Sequence, residues 1–204
     1  MATLLPLLRI KKIVESLLEF VKTDYETKNA DNKEEQTILY QILYGNKEDN
    51  WDFYEQAKNI FLKPETDPQK LNVTLHFSKN FNSLPNIWVR EPAKQRGGYN
   101  SIGSYMPEDK MFDDGTYSEQ LRDTKRASYE LVCSSPNPLL TILIAEVVYS
   151  LLVGAQDTLN ELFGTFEFSM KELMANNDSI PMGLTIRAIS VETQFENIVP
   201  KIQL

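Results

Sequence analysis

The sequence predicts an α+β fold: a mainly antiparallel sheet of about five strands packed by one long helix, with additional N-terminal helices. Three observations predict it. Apolar residues recur at helical spacing over residues 4–28. Several later segments alternate apolar and polar residues, which is typical of half-buried strands. Between two of these segments lies an apolar run, Pro138–Ala155, that is too long for a strand.

The N-terminal part of the chain is predicted to be helical. Residues 4–28 form the first helix, with Pro6 in the first turn, where its missing N–H costs nothing. A short apolar patch at 38–44 is either helix or strand. A further helix is expected over 51–62 and is closed by Pro64.

The strands are predicted from alternation. Pro92 is expected to stop the second strand, and Pro200 ends the pattern near the C-terminus. A long helix is expected between the third strand and the fourth, running from Pro138 into the amphipathic stretch up to Phe163. The alternating segments are 71–77, 87–90, 127–133, 166–170 and 183–192.

The length suits one domain. We therefore expect a single α+β domain over 1–204, with a helical N-terminal part at 1–64. Residues 92–118 are rich in glycine and proline and are predicted to be a long loop inserted in the sheet. Loops of this length are usually functional or mobile.

Composition excludes several classes of protein. The chain has one Cys, Cys133, and one His, His76. A single Cys makes no internal disulfide, and one Cys with one His supplies too few ligands for an ordinary zinc site. The net charge is −8, from 21 Lys and Arg against 29 Asp and Glu, which disfavours sequence-independent binding of nucleic acid.

No catalytic group of residues is evident. His76 is expected on the polar side of its strand and Cys133 on the apolar side, so a Cys–His nucleophile pair is not expected and a buried thiol is. Residues 96–99 are either a backbone phosphate nest or simply flexible. Four acidic residues lack the spacing of a calcium loop: Glu108, Asp109, Asp113 and Asp114.

No cofactor or metal is expected. Four aromatic residues at helical spacing are predicted to belong to a core or an interface rather than to a ligand cage: Trp51, Phe53, Tyr54 and Phe61.

The run Pro138–Ala155 is close to the length of a membrane span, but Glu146 at its centre argues against one. A helix apolar on nearly every side is expected to be buried by its own sheet and also by a neighbouring subunit. We predict that this subunit interface contains Leu140, Ile144, Val147, Val148 and Leu151.

Charge is unevenly distributed along the chain. From residue 131 onward there are three cations and eight anions, which is five of the eight net negative charges. This excess is either a solvated face or a surface that repels an acidic molecule.

From about Ser128 to the C-terminus the chain resembles the neck and tail-completion proteins of tailed bacteriophages, the tail terminators and head–tail connectors. The resemblance rests on one ordered run of segments. The run is a strand ending YELVCSS, a turn SPNP, a helix LLTILIAEVVYSLLVGAQDTLNELF, strands GTFEFSMKEL and GLTIRAISVETQFE separated by a turn with IP, and a closing VPKIQL.

The resemblance implies a non-enzymatic virion protein, assembled in the host cytoplasm. It implies a homo-oligomeric ring between capsid and tail, next to portal, connector or tail proteins and outside any membrane. DNA would pass through the channel without specific binding, and an acidic channel wall would help by repelling it. Contacts between rings are expected from loop residues Tyr99, Tyr105, Met106 and Phe112.

Two other functions stay open at this point. The chain is alternatively a cytosolic binding or adaptor module that holds a ligand with the 92–118 loop. It is alternatively a hydrolase that uses acidic residues with a metal held by Asp113 and Asp114.

Overall fold

The computed structural model describes most of the chain. The described residues are 6–64, 66–76, 85–96, 107–111, 115, 117–163, 165–172 and 183–200.

Five α-helices and one 3₁₀ turn, at Glu34–Gln36, lie in this part of the chain. The helices are α1 (Pro6–Ala30), α2 (Ile38–Leu43), α3 (Phe53–Phe61), α4 (Pro138–Gly154) and α5 (Gln156–Phe163).

Eight strands are described: β1 (Lys47–Glu48), β2 (Trp51–Asp52), β3 (Asn72–Thr74), β4 (Asn86–Arg96), β5 (Pro107–Met111), β6 (Tyr117–Ser135), β7 (Thr165–Glu172) and β8 (Thr185–Pro200). Strands β1 and β2 form a short hairpin, and the others form one larger sheet in the order β3-β4-β6-β8-β7, with β5 also paired to β6. Among the described pairs only β3 with β4 is parallel. This confirms the predicted α+β class with a mainly antiparallel sheet.

Helix α4 begins where the sequence signals a start. The side-chain oxygen of Asn137 accepts hydrogen bonds from the backbone N–H groups of Leu139 at 2.9 Å and Leu140 at 3.4 Å. Pro138 occupies the first turn, where no N–H is needed. These two residues set the point at which the chain leaves β6 and turns back over the sheet.

The expected single long helix is corrected to two helices. Helices α4 and α5 meet at an angle of 69° around Ala155. The backbone N–H of Ala155 donates to the carbonyls of Leu151 and Val153, which closes α4 after Gly154, a poor helix former. The bend directs α5 over β7, where Leu159 and Phe163 are buried.

The prediction that the second strand stops at Pro92 is wrong. Strand β4 continues to Arg96, and its register with β6 shifts between Arg90 and Ala93. Proline has no N–H to give to a sheet, and a bulge is one of the few places where a strand can contain it. The irregularity therefore lets the strand pass through Pro92.

The predicted loop at 92–118 is largely corrected to strand within the described residues. Its two ends belong to β4 and β6, and β5 lies inside it, paired antiparallel to β6 from Pro107–Leu121 to Met111–Tyr117. Glycine and proline are typical of loops, but the described parts of this segment pair with the long strand β6 through their backbone. The strand predicted at 71–77 is shorter, since β3 covers Asn72–Thr74.

All five helices contribute to one core against one face of the sheet. Residues of β6 on this face include Ala127, Tyr129, Leu131 and Cys133, each at most 1% exposed. The opposite face has a smaller cluster formed by Val132, Leu184, Ile186 and Ala188 with Trp88 packed against it. Within 127–133 of β6, alternation thus places the odd-numbered residues on the helix-covered face and the even-numbered residues on the other face.

Candidate functional site: edges and surfaces for assembly

The single His and the single Cys lie in different environments, one exposed and the other buried. His76 is exposed just after β3, and its carbonyl accepts a hydrogen bond from the Thr74 hydroxyl at 2.8 Å. Cys133 is fully buried in the helix-covered face, as predicted, and burial raises the pKa of its thiol to about 12. Cys133 is therefore protonated at neutral pH and out of reach of a substrate.

Within the described ranges, no group of three or more His, Cys, Asp or Glu side chains is placed to hold a metal ion. Asp113 and Asp114, on which the hydrolase alternative depended, lie outside the described residues. The loop residues predicted to contact an adjacent ring also lie outside them: Tyr99, Tyr105, Met106 and Phe112.

The densest group of interacting polar side chains surrounds Glu34, in the 3₁₀ turn between α1 and α2. Its Oε1 accepts hydrogen bonds from the Tyr54 hydroxyl at 2.6 Å and from Lys58 Nζ at 3.2 Å. Lys58 also lies over the Tyr54 ring, 4.6 Å from its centroid. No local sequence pattern predicts this contact, because the partners of Glu34 are 20 and 24 residues further along the chain.

These interactions fix the protonation states of the Glu34 group. The hydrogen bonds from Tyr54 and Lys58 lower the pKa of Glu34, while burial and the bond to Glu34 raise the pKa of Tyr54. At neutral pH the carboxylate is ionised and the phenol protonated, so the group holds α3 against the turn. Of the four aromatic residues predicted to belong to a core or an interface, Tyr54 and Phe61 are buried, at 5% and 3% exposed. Phe53 packs partly buried against the same core, and Trp51 is half-buried.

We expect Glu34→Gln to reduce the fall in the free energy of unfolding as the pH is lowered through the acid range. The folded-state pKa of Glu34 is depressed, so its stabilisation is present above the unfolded value near 4.5 and is lost as the pH falls through the folded value. The Glu34 side chain is 40% exposed, so the loss at neutral pH should be only about 0.5 kcal/mol. Urea unfolding across the acid range measures it, with the exposed neighbour Glu35→Gln as control. Identical profiles for the two variants would contradict the assignment.

Four of the five residues predicted for a subunit interface on α4 are buried within a single copy of the chain. The exposed fractions of Ile144, Val147, Val148 and Leu151 are 0%, 0%, 1% and 6%, which leaves these side chains almost no surface for a neighbour. Leu140 is only partly buried against the same core, and its place in an interface stays a prediction. The charged residue of this helix, Glu146, is exposed, and its Oε1 lies 3.6 Å from Arg187 Nη1.

The sheet itself offers surfaces for assembly at its two edges. Strand β7 is eight residues long and pairs with β8 on one side. Phe166 and Phe168 pack towards the helices, while Glu167, Ser169 and Lys171 are exposed. Among the described residues no strand pairs with the outer edge of β7. The Phe166 N–H donates to Asn160 Oδ1 at 3.0 Å, and the other outward N–H and C=O groups of β7 can accept another strand.

The other edge of the sheet is formed by β4 and β5. Strand β3 pairs with β4 only at Asn86–Trp88, which leaves the rest of the outer edge of β4 open in the described part of the chain. Strands β6 and β8 pair from Ser135–Thr185 to Gln120–Pro200, beyond the last β7 pair at Gln194. The sheet thus carries a ribbon that extends past β7 by six residues of β8, about 20 Å.

The face of the sheet that the helices leave uncovered is electrically balanced where it is described. Arg90 Nε donates to Glu130 Oε2 at 2.6 Å, and the Arg90 guanidinium lies 5.2 Å from the centroid of the Trp88 ring. Glu167 lies directly opposite Glu192 on the neighbouring strand. By alternation, the described charged side chains of this face are three cations and three anions: Arg90, Arg126, Lys171, Glu130, Glu167 and Glu192. The excess of acidic residues in the last third of the chain is therefore not concentrated on the described part of this face.

No single helix among the described residues is long and apolar enough to cross a membrane. The bent α4–α5 pair reaches that length and composition only when its two helices are taken together.

Comparison with known proteins identifies no relative: neither a protein-family model nor a curated protein matches this chain. The functional conclusion therefore depends on the fold and on its open surfaces.

Proposed function

We propose that the chain is a non-enzymatic structural protein of a tailed-bacteriophage virion, a homo-oligomeric ring component of the head–tail neck or the tail end. The segment order on which the resemblance rests corresponds to β6, α4 with α5, β7 and β8. The ring joins capsid or portal to tail, and its neighbours are portal, connector or tail proteins. It is assembled in the host cytoplasm and retained in the virion.

The observation that carries this proposal is the pair of open edges on opposite sides of one sheet. The edge of β7 and the edge formed by β4 and β5 are different surfaces of one subunit, so a contact between them is heterologous. Repeated heterologous contacts close into a ring when the rotation between subunits divides a full turn. Strand addition supplies the bonds, because each edge offers main-chain donors and acceptors.

Electrostatics supports passage of DNA rather than its capture. The net charge of −8 opposes the phosphate backbone, and the described uncovered face of the sheet carries as many anions as cations. A channel lined by such subunits would have few unpaired cations to hold DNA.

The test is the assembly state of the full chain. We expect light scattering with size-exclusion chromatography to show an oligomer at high protein concentration, and negative-stain images to show rings. Ser169→Lys places a long charged side chain on the exposed side of the β7 edge and should weaken assembly about tenfold.

Thr23→Lys is the matched control, because it adds the same charge at an exposed position in the middle of α1. It should assemble like the unmodified chain, and both variants should keep the far-ultraviolet circular dichroism of the native fold. A strict monomer at all concentrations, or equal assembly of the two variants, argues against pairing through the β7 edge.

A further inference from the structure

A groove lies between α1 and the bend from α4 to α5. One wall is α1, through Ile13, Leu17 and Phe20, and the other is the bend between α4 and α5. The groove consists of two adjoining hollows of about 250 and 300 Å³, which share Leu17 and Ala155. Helix α2 closes the second hollow through Ile38 and Ile42.

The groove is apolar and open to solvent. Phe20 is 54% exposed and Leu162 is 41% exposed, and both line it. Val153, 48% exposed, precedes the lining residue Gly154. Large apolar side chains gathered at one place on a surface, with polar residues around them, mark interaction sites more often than single exposed ones do.

The spacing of the two hollows fits a helix. On α1 the first hollow is lined by residues on either side of Ile13, and the second is lined by Leu17 and Phe20. Ile13 and Phe20 are seven residues apart, which is a rise of about 10 Å. Side chains at i and i+7 of a second helix have the same separation. A helix lying along α1 can therefore place one apolar side chain in each hollow.

The charges around the groove define the partner further. Arg9 and Lys12 line the first hollow, and no Asp or Glu is among the residues that line either one. The Arg9 guanidinium is held 5.1 Å from the centroid of the Phe163 ring, at the end of the groove. In a chain of net charge −8, this positive end is complementary to carboxylates.

We propose that this groove binds an amphipathic α-helix of a partner protein, with apolar side chains at i and i+7 flanked by carboxylates. The inference rests on the groove alone and holds whether or not the chain forms a ring. The helix lies along α1, fills both hollows and places its acidic flank next to Arg9 and Lys12.

The test uses the full chain and two synthetic helical peptides. One carries leucines at i, i+4 and i+7 with glutamates on the flanks, and its twin carries lysines in place of the glutamates. Fluorescence anisotropy should show that the acidic peptide binds about tenfold more tightly than its twin, with an affinity that falls as salt rises.

Substitutions locate the binding. Phe20→Asp and Leu162→Asp should each weaken the acidic peptide about tenfold, because each puts a charge into one hollow. Lys12→Glu should weaken it about threefold at low salt. Leu75→Asp is the matched control, since Leu75 is an exposed apolar residue that lines neither hollow, and it should bind like the unmodified chain.

Several results would overturn the proposal: no binding of either peptide, equal affinity for both, or binding that survives Phe20→Asp and Leu162→Asp. Light scattering on the same variants tests a second copy as the occupant. If these substitutions change the assembly state while the peptide fails to bind, the groove is a contact between copies. The β7-edge variant Ser169→Lys should bind the peptide normally, so failure of the ring and failure of the groove are distinguishable.

Discussion

Replacing Ile144 by alanine is expected to destabilise the fold by about 3 kcal/mol. The side chain is 0% exposed and belongs to the core between α4 and the sheet, with Leu143, Val147 and Val148 of the same helix. Removing its three outer carbons loses their transfer free energy and leaves a cavity that close-packed neighbours fill only in part. Urea unfolding monitored by circular dichroism measures the change.

Val153→Ala is the matched control on the same helix. Val153 is 48% exposed, so its truncation should change stability by no more than about 0.5 kcal/mol. The comparison also distinguishes a core role of α4 from a role in a subunit interface. If Ile144→Ala left the free energy of unfolding unchanged but altered the assembly state, Ile144 would be an interface residue, and its burial in the chain's own core would be refuted.

The thiol of Cys133 should react with an aromatic disulfide reagent about 10³-fold more slowly in the native protein than in urea, at pH 8. Burial raises its pKa from 9.0 to about 12, which reduces the reactive thiolate by about that factor. Its 0% exposure also excludes the reagent. Exclusion adds to the effect of the raised pKa, so about 10³-fold is the smallest slowing expected.

A positive control is available in the same chain. Thr23→Cys, made together with Cys133→Ser, places a thiol on the exposed face of α1 and should react within the normal range for free cysteine. If the native Cys133 reacted as fast as this surface thiol, the assignment of Cys133 to the helix-covered face would fail.

The elements that could be predicted are those whose pattern is local. Alternation at 127–133 placed Cys133 on the apolar side of a strand, and Asn137 with Pro138 marked the start of α4. The path through Pro92 could not be predicted, because it depends on a bulge against β6. The contact of Glu34 with Tyr54 could not be predicted either, since no local pattern links residues so distant in the chain.

Composition and periodicity were enough to establish the fold class, the strand periodicity, the absence of an internal disulfide and the buried character of the run from Pro138. These follow from residue counts and from periods of two and 3.6 residues, which act within one segment. The folded chain was needed to show what buries Ile144 and its neighbours, where the helix bends, and which sheet edges and grooves stay open. Burial and pairing are satisfied by whichever element the fold brings into contact, so a hydrophobic pattern specifies the need for a partner but not its identity.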